Sequence, residues 1–270
     1  MNVLMSLISL YNRLPAESTY RAVIKGILNN LDQMADATIF DMAEITSSSR
    51  TTIWRMLKMI GYNSYGEFHH ELKKIITQYS YYNRALPVDP RPDFNSIVHM
   101  ASGLLKESSD IIIKTASESM ALSIVQLLRQ ADHISFYDFP NTSTDFLIQN
   151  LIMTGKDVGL YSLWPDMNRD AGKLTPHSVV FAYPIESQDM KDMTPVFEKI
   201  RDNRAILILA DEAKSRYASY ADYVLLSGNL SLEYPLSRRY IFEMLLIIIS
   251  ELYREKYISD KFTAYKTDLT

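Results

Sequence analysis

Residues 38–61 read TIFDMAEITSSSRTTIWRMLKMIG and hold side chains suited to reading nucleic acid. Thr38 stands where it can cap a short helix in which Ile39, Met42, Ala43 and Ile45 are apolar. A serine-rich turn, Thr46 to Ser49, follows. The Ser49 hydroxyl is placed to accept an orphan amide at the start of a second helix. That helix would bury Ile53, Met56, Leu57 and Ile60 and stop at Gly61, a residue suited to the left-handed position after a helix end. Its opposite face shows Arg50, Thr51, Trp54, Arg55 and Lys58. With Thr38, Ser49 and Thr52 at the helix starts, these are the candidate DNA contacts. Arg can bond guanine through two N–H groups at once, and Thr can meet a base edge. Lys58, further along, would meet the phosphate backbone. A short helix, a tight turn and a second helix with basic and hydroxyl groups near its start is the helix-turn-helix layout. An αα-hairpin with a solvated outer face has the same pattern, and the pattern alone admits both.

Other chemistry finds less support. Among the 5 histidines, His69 and His70 are adjacent and point in different directions on a helix. In HHELKK, Lys74 stands where the second His of a zinc-binding HExxH would be, so no metal site is expected. His133 and His177 read as structural. No GxSxG nucleophile elbow occurs. With only 8 glycines in 270 residues, the chain forms neither GxGxxG nor GxxxxGK[ST]. This excludes the backbone cradles for dinucleotides and nucleoside triphosphates. There is no cysteine, which removes disulfides and thiolate chemistry. Glu186 and Asp189 are carboxylates suited to acid–base work, but a loop position near a helix N-terminus explains them as well. Tyr79, Tyr81 and Tyr82 could stack bases, though packing is the better reading. No cofactor is expected.

The elements that must hold these residues divide at PVDPRP, 87–92, whose three prolines cannot continue a helix. The expected domains are a helical one at 1–86, a Pro-rich linker at 87–93 and an α/β domain at 94–270. In the first, Ser18 caps a helix running through Tyr20, Val23, Ile24, Ile27, Leu28 and Leu31. After the linker come helices at about 94–114 and 117–130, and then the period changes. HISFY (133–137), VGLYS (158–162), SVVFAY (178–183), AILILA (205–210) and YVLLS (223–227) read as strands. Helical stretches separate several of them, at 143–153, 188–202 and 213–221. That alternation predicts a five-stranded parallel sheet with flanking helices. A last helix, from about Leu236 to Tyr257, carries Phe242, Met244, Leu245, Leu246, Ile247, Ile248 and Ile249. One sheet covers one face of a helix, so the reading assigns its other face to a partner subunit. No apolar stretch reaches the length of a membrane span, and the expected location is the cytoplasm. Residues 1–86 carry 9 Lys and Arg against 7 Asp and Glu, and 87–270 carry 19 against 25, giving +2, −6 and −4 in total. A basic front and an acidic back suit a nucleic-acid module joined to a different domain.

The stretch from Ala43 to Lys74 resembles the N-terminal domain of the RpiR (MurR/RpiR) transcriptional regulators. The resemblance rests on Ala43-Glu44, Ser49, Thr52-Ile53, Arg55, Gly61-Tyr62 and Phe68 at matching spacing. Two positions depart from the family pattern: Ser48 replaces an apolar residue, and Met59 a frequent Lys. The resemblance implies a helix-turn-helix domain followed by a SIS (sugar-isomerase-type) α/β domain, and SYADYVLLSG at 219–228 is close to that fold's ending. It also implies regulation of transcription, double-stranded operator DNA as partner, and a homodimer or homotetramer. A sugar-phosphate isomerase with a helical extension is the alternative.

The SIS resemblance further implies that loops after two strands hold a carbohydrate derivative. In DFPNTSTD (138–145), Thr142 and Ser143 can supply hydroxyls, while Asp138 and Pro140 replace expected glycines. In YPIESQD (183–189), Ser187 is the remaining hydroxyl, and Pro184, Glu186 and Asp189 replace Ser or Thr. Phosphate is held by N–H groups, hydroxyls and positive helix ends. The effector expected from these loops is therefore not a typical sugar phosphate. Arg169 or Lys173 would have to supply an anion site elsewhere.

Overall fold

The computed structural model describes residues 2–82, 85–86, 93–138, 141–184, 191–226 and 235–258, without the side chains of 78–82, 141–143 and 235. They form two compact units. The first contains the N-terminal helices, together with Tyr161–Ala171 and the segment ending at Val196; most of the remaining chain forms the second.

The N-terminal helices are α1 (Val3–Arg13), α2 (Thr19–Asn29), α3 (Leu31–Met34), α4 (Ile39–Ile45), α5 (Arg50–Met59) and α6 (Tyr65–Tyr82). Their apolar faces meet in one core containing Leu7, Ile24, Ile27, Met42, Ile53 and Phe68. The helix starting after Ser18 is shorter than its periodicity suggests. Asn30 leaves helical geometry (φ −131°), and its side-chain amide donates to the Gly26 carbonyl at 2.7 Å. An Asn side chain that competes for a backbone partner ends the helix, so Leu31 begins α3. Ser18 precedes α2 without making a side-chain cap bond. Gly26 lets the motif at 38–61 pack closely: a Cβ there would stand 3.0 Å from Thr46 Cγ2 and 3.2 Å from Thr46 Cα.

The second unit opens with α7 (Phe94–Thr115) and α8 (Glu118–Gln130). Asp93 caps α7 by accepting the Ser96 amide at 2.7 Å; residues 87–92 of the expected linker lie outside the described residues. The strands are β1 (His133–Tyr137), β2 (Asp157–Tyr161), β3 (Ser178–Ala182), β4 (Ile206–Glu212) and β5 (Tyr223–Leu226), in sheet order β2-β1-β3-β4-β5. The β1–β3, β3–β4 and β4–β5 pairs are parallel, with Phe136 opposite Phe181 and Phe181 opposite Ile208. β3 is buried at every position, as a strand covered on both faces must be. The chain leaves β1 toward one edge and β3 toward the other, so a ligand crevice belongs at their carboxyl ends.

Helices α9 (Asn141–Met153), α10 (Trp164–Ala171), α11 (Thr194–Asp202) and α12 (Pro235–Tyr257) complete the chain. Three readings need correction. The helix expected at 213–221 is a single 3-10 turn, Ala218–Tyr220, because the Ala213 amide extends the ladder to Leu226 O instead. α10 is a helix that strand periodicity did not reveal; Met167 and Ala171 are its buried apolar residues in an otherwise polar segment. The second apolar face of α12 is covered within the chain, since α7, α8 and α9 pack against it. Ile241, Phe242, Leu245, Leu246 and Ile249 are buried, and Met244, Ile247 and Ile248 are half-buried. Among the described residues, no single helix is long and apolar enough to cross a membrane.

Candidate nucleic-acid interface

The motif at 38–61 is built by four terminal bonding patterns. Thr38 starts α4 with a capping box: the Asp41 amide donates to Thr38 Oγ1 at 3.3 Å, and the Thr38 amide donates to Asp41 Oδ2 at 2.8 Å. The Thr38 hydroxyl also donates to Asp41 Oδ2 at 2.7 Å, and this bond first, the Thr38 amide second, holds the Asp41 carboxyl below the usual carboxylate range. α4 ends in a Schellman motif, with the Ser48 amide donating to Ala43 O at 2.8 Å and the Ser47 amide to Glu44 O at 3.0 Å. Ser47 takes the left-handed conformation this needs, φ +48°. Ser49 then starts α5 by accepting the Thr52 amide at 3.1 Å. α5 ends as α4 does: Tyr62 N donates to Leu57 O at 3.0 Å and Gly61 N to Lys58 O at 3.1 Å, with Gly61 at φ +89°. The turn and the end of the second helix are thus fixed by backbone bonds, and its start by the Ser49 hydroxyl.

Ile53, Met56, Leu57 and Ile60 are buried, and Arg50, Thr51, Trp54, Arg55 and Lys58 are exposed together on the other side of α5. Thr38 and Ser49 sit at the helix starts as caps. The Thr52 hydroxyl lies 2.9 Å from Ser49 Oγ, so this pair serves the helix start. Lys58 Nζ donates to Asn63 Oδ1 at 3.1 Å and lies 4.9 Å from the centre of the Trp54 ring. One residue of this surface escaped the sequence reading. Phe40 is 63% exposed, and the Arg50 guanidinium lies over its ring at 4.3 Å. Its sequence signal is an aromatic residue off the 39, 42, 43 and 45 apolar stripe of α4.

The remaining candidates fall elsewhere. The His69 ring stacks on Tyr65 at 5.5 Å. His133 bonds Asp157 at 2.7 Å and Ser135 at 2.9 Å, a structural role for a strand-start residue. Among the described residues, no group of three or more His, Cys, Asp or Glu is placed to hold a metal ion. The side chains of Tyr79, Tyr81 and Tyr82 lie outside the described residues.

At the carboxyl edge of the sheet, Asp138 follows β1 in the left-handed conformation, φ +58°. An Asp there adopts the geometry that the resemblance assigns to glycine, and burial pushes its carboxyl above the usual range. Asp211 and Glu212 end β4 and are buried. Arg238 Nη2 donates to Glu212 Oε1 at 2.9 Å, with its Nη1 3.6 Å from Asp211 Oδ1, and Lys214 Nζ is 3.8 Å from Glu212 Oε2. Thr142 and Ser143 lie in the first turn of α9, but their side chains are outside the described residues, as are Ser187, Glu186 and Asp189. Arg169, the alternative anion ligand, bonds Asp166 Oδ1 at 3.2 Å.

Comparison with known proteins separates the two readings of the motif. The sequence model described as the helix-turn-helix domain of the rpiR family matches residues 1–79. No curated protein sequence matches the chain. Among solved structures, the Vibrio vulnificus NanR protein complexed with ManNAc-6P is 20% identical, with 99% of this chain and 97% of that chain covered, at a TM-score of 0.50. The sugar isomerase domain of an RpiR transcription factor from Sphaerobacter thermophilus is 14% identical, covering 59% of this chain and 92% of its own, at a TM-score of 0.45. The NanR likeness spans both units and shows that the whole chain shares that fold. Residues 1–79 thus form a helix-turn-helix domain of the rpiR family, joined to an α/β domain built on a five-stranded sheet.

Proposed function

We propose that this regulator binds a two-fold-symmetric operator as a homodimer or homotetramer, reading it with Arg50, Thr51, Trp54, Arg55 and Lys58. The observation that carries the reading is the shared exposure of these side chains on a helix pinned at its start by the Ser49 cap and at its end by backbone bonds. A rigid helix aims its side chains as a set, and oligomeric helix-turn-helix proteins read half-sites one helical turn, or a multiple, apart. Arg55→Ala is expected to relax preference at one base pair, at a cost of roughly 1–3 kcal/mol. Lys58→Ala is expected to weaken all sequences alike and lower the salt slope by about 1. Binding titrations at several salt concentrations separate the two; identical effects of both variants would contradict the assignment.

The α/β domain is read as an effector and assembly domain rather than as an enzyme, and its effector as something other than a sugar phosphate held in the usual way. Glu186 and Asp189 in the sequence of the second loop support this, whereas Asp211 and Glu212 at the end of β4 are matched by Arg238 and Lys214. Two like charges about 5 Å apart, at an effective dielectric near 20, repel by roughly 3 kcal/mol, more than a hundredfold in affinity. Pro140 and Pro184 each lack an N–H donor. ManNAc-6P in the NanR structure favours the opposite reading, a phosphosugar effector. Calorimetry against hexose, pentose and amino-sugar phosphates decides between them. Dissociation constants above about 100 μM throughout are expected; tighter binding abolished by Thr142→Ala would establish the phosphosugar reading. Turnover of any of these compounds would establish the isomerase alternative.

A further inference from the structure

Phe40 has no evident reason to be where it is. It is 63% exposed in the first turn of α4, outside the core of the N-terminal helices. Its ring carries the guanidinium of Arg50, the first residue of α5, at 4.3 Å. The capping box at Thr38 and the Ser49 cap fix the two helix starts on which these residues stand. Trp54 and Lys58 repeat the arrangement further along α5 at 4.9 Å, again with an exposed ring. The surface that reads DNA thus carries two cations, each braced by an aromatic side chain that the fold leaves in solvent.

An unbraced Arg at a helix start samples many rotamers, and docking on a base freezes them. Stacking on an aromatic face restrains the guanidinium in advance while leaving its N–H edge able to bond. A planar guanidinium held in one orientation suits a two-bond contact to the edge of a guanine. We propose that Phe40 is a positioning residue for operator recognition: it orients Arg50 from the neighbouring helix, so that base preference at one position belongs to the Phe40–Arg50 pair. The inference rests on the DNA-binding role of α5.

The test is a double-mutant cycle in the full chain, using DNA fragments enriched by the wild-type protein and single-base variants of them. Phe40→Ala should weaken binding about two- to fivefold, the range of one exposed cation–π contact. It should relax preference at the same base pair that Arg50→Ala relaxes and leave the salt slope unchanged, because no charge is removed. In an Arg50→Ala background it should have no further effect, and Phe40→Tyr should restore the wild-type profile. Since the side chain is exposed, the thermal unfolding midpoint of Phe40→Ala should fall by no more than the small amount that one exposed cation–π contact carries. Additive losses would overturn the proposal and make Phe40 a DNA contact in its own right. An unchanged base profile in Phe40→Ala would also overturn it, while leaving the DNA-binding role of α5 intact. Enrichment of no fragment by wild type would overturn both.

Discussion

Thr38 and Ser49 cap their helices, as their places ahead of each apolar pattern predict. An N-cap hydroxyl satisfies an amide that no carbonyl reaches, and Ser49→Ala should cost about 1 kcal/mol of stability by denaturant titration. Asp41 is the reporter for the other cap. Its carboxyl accepts from the Thr38 hydroxyl at 2.7 Å and from the Thr38 amide at 2.8 Å, so it should titrate below 3.8 by carbon NMR. A depressed carboxylate contributes stability that is present above its unfolded value and lost as pH falls through its folded one. The capping box is therefore expected to open only in acid, and Thr38→Val should move the Asp41 titration up toward 3.8. An unmoved titration would show that the hydroxyl bond does not hold the carboxyl. Phe40 shows the limit of residue-level reading: its exposure and the cation above it are tertiary facts that no spacing encodes.

At the scale of elements, the two Schellman motifs make opposite predictions. Ser47 takes a left-handed backbone that costs a residue with a Cβ roughly 1 kcal/mol, so Ser47→Gly should stabilise the fold by about that amount or slightly less. Gly61 at φ +89° already has the favoured residue. Gly61→Ala should destabilise by about 1 kcal/mol from backbone strain, and by more because its Cβ would come within 3.2 Å of Pro165 Cγ. Thermal unfolding of both variants checks the pair, and equal signs would contradict the geometry. Gly61 was legible in the sequence because glycine marks helix ends, and so was the serine-rich turn at 46–49; the left-handed backbone at Ser47 was not, because serine there is uncommon. The strands were legible for a similar reason. His133–Tyr137 and Ser178–Ala182 are β-rich runs between helical stretches. The polar α10 has too few apolar residues to show a period, and the 213–221 stretch lost its helix to a ladder bond from Ala213, a competition invisible in one strand's sequence.

At the scale of the molecule, the expected partner surface has to move. α12 is covered by α7, α8 and α9, whereas α7 leaves Phe94, Ile97, Val98 and Leu105 exposed on its own surface. Apolar residues that recur on one helix face mark an interaction surface. The full chain is expected to be at least dimeric at tens of micromolar by light scattering, and Val98→Glu should shift it toward monomer; monomer in wild type would contradict this. The candidate effector edge was legible only as loops rich in Pro and acid, and the burial of Asp211 and Glu212 at the end of β4 became visible with the sheet assembled. The central expectation is that α5 reads DNA from a pinned helix-turn-helix. Its most direct test is selection of genomic fragments by the purified full chain, followed by sequencing. Enrichment of one sequence with two-fold symmetry, lost with Arg55→Ala, is the predicted result; a folded protein that enriches no sequence would contradict it.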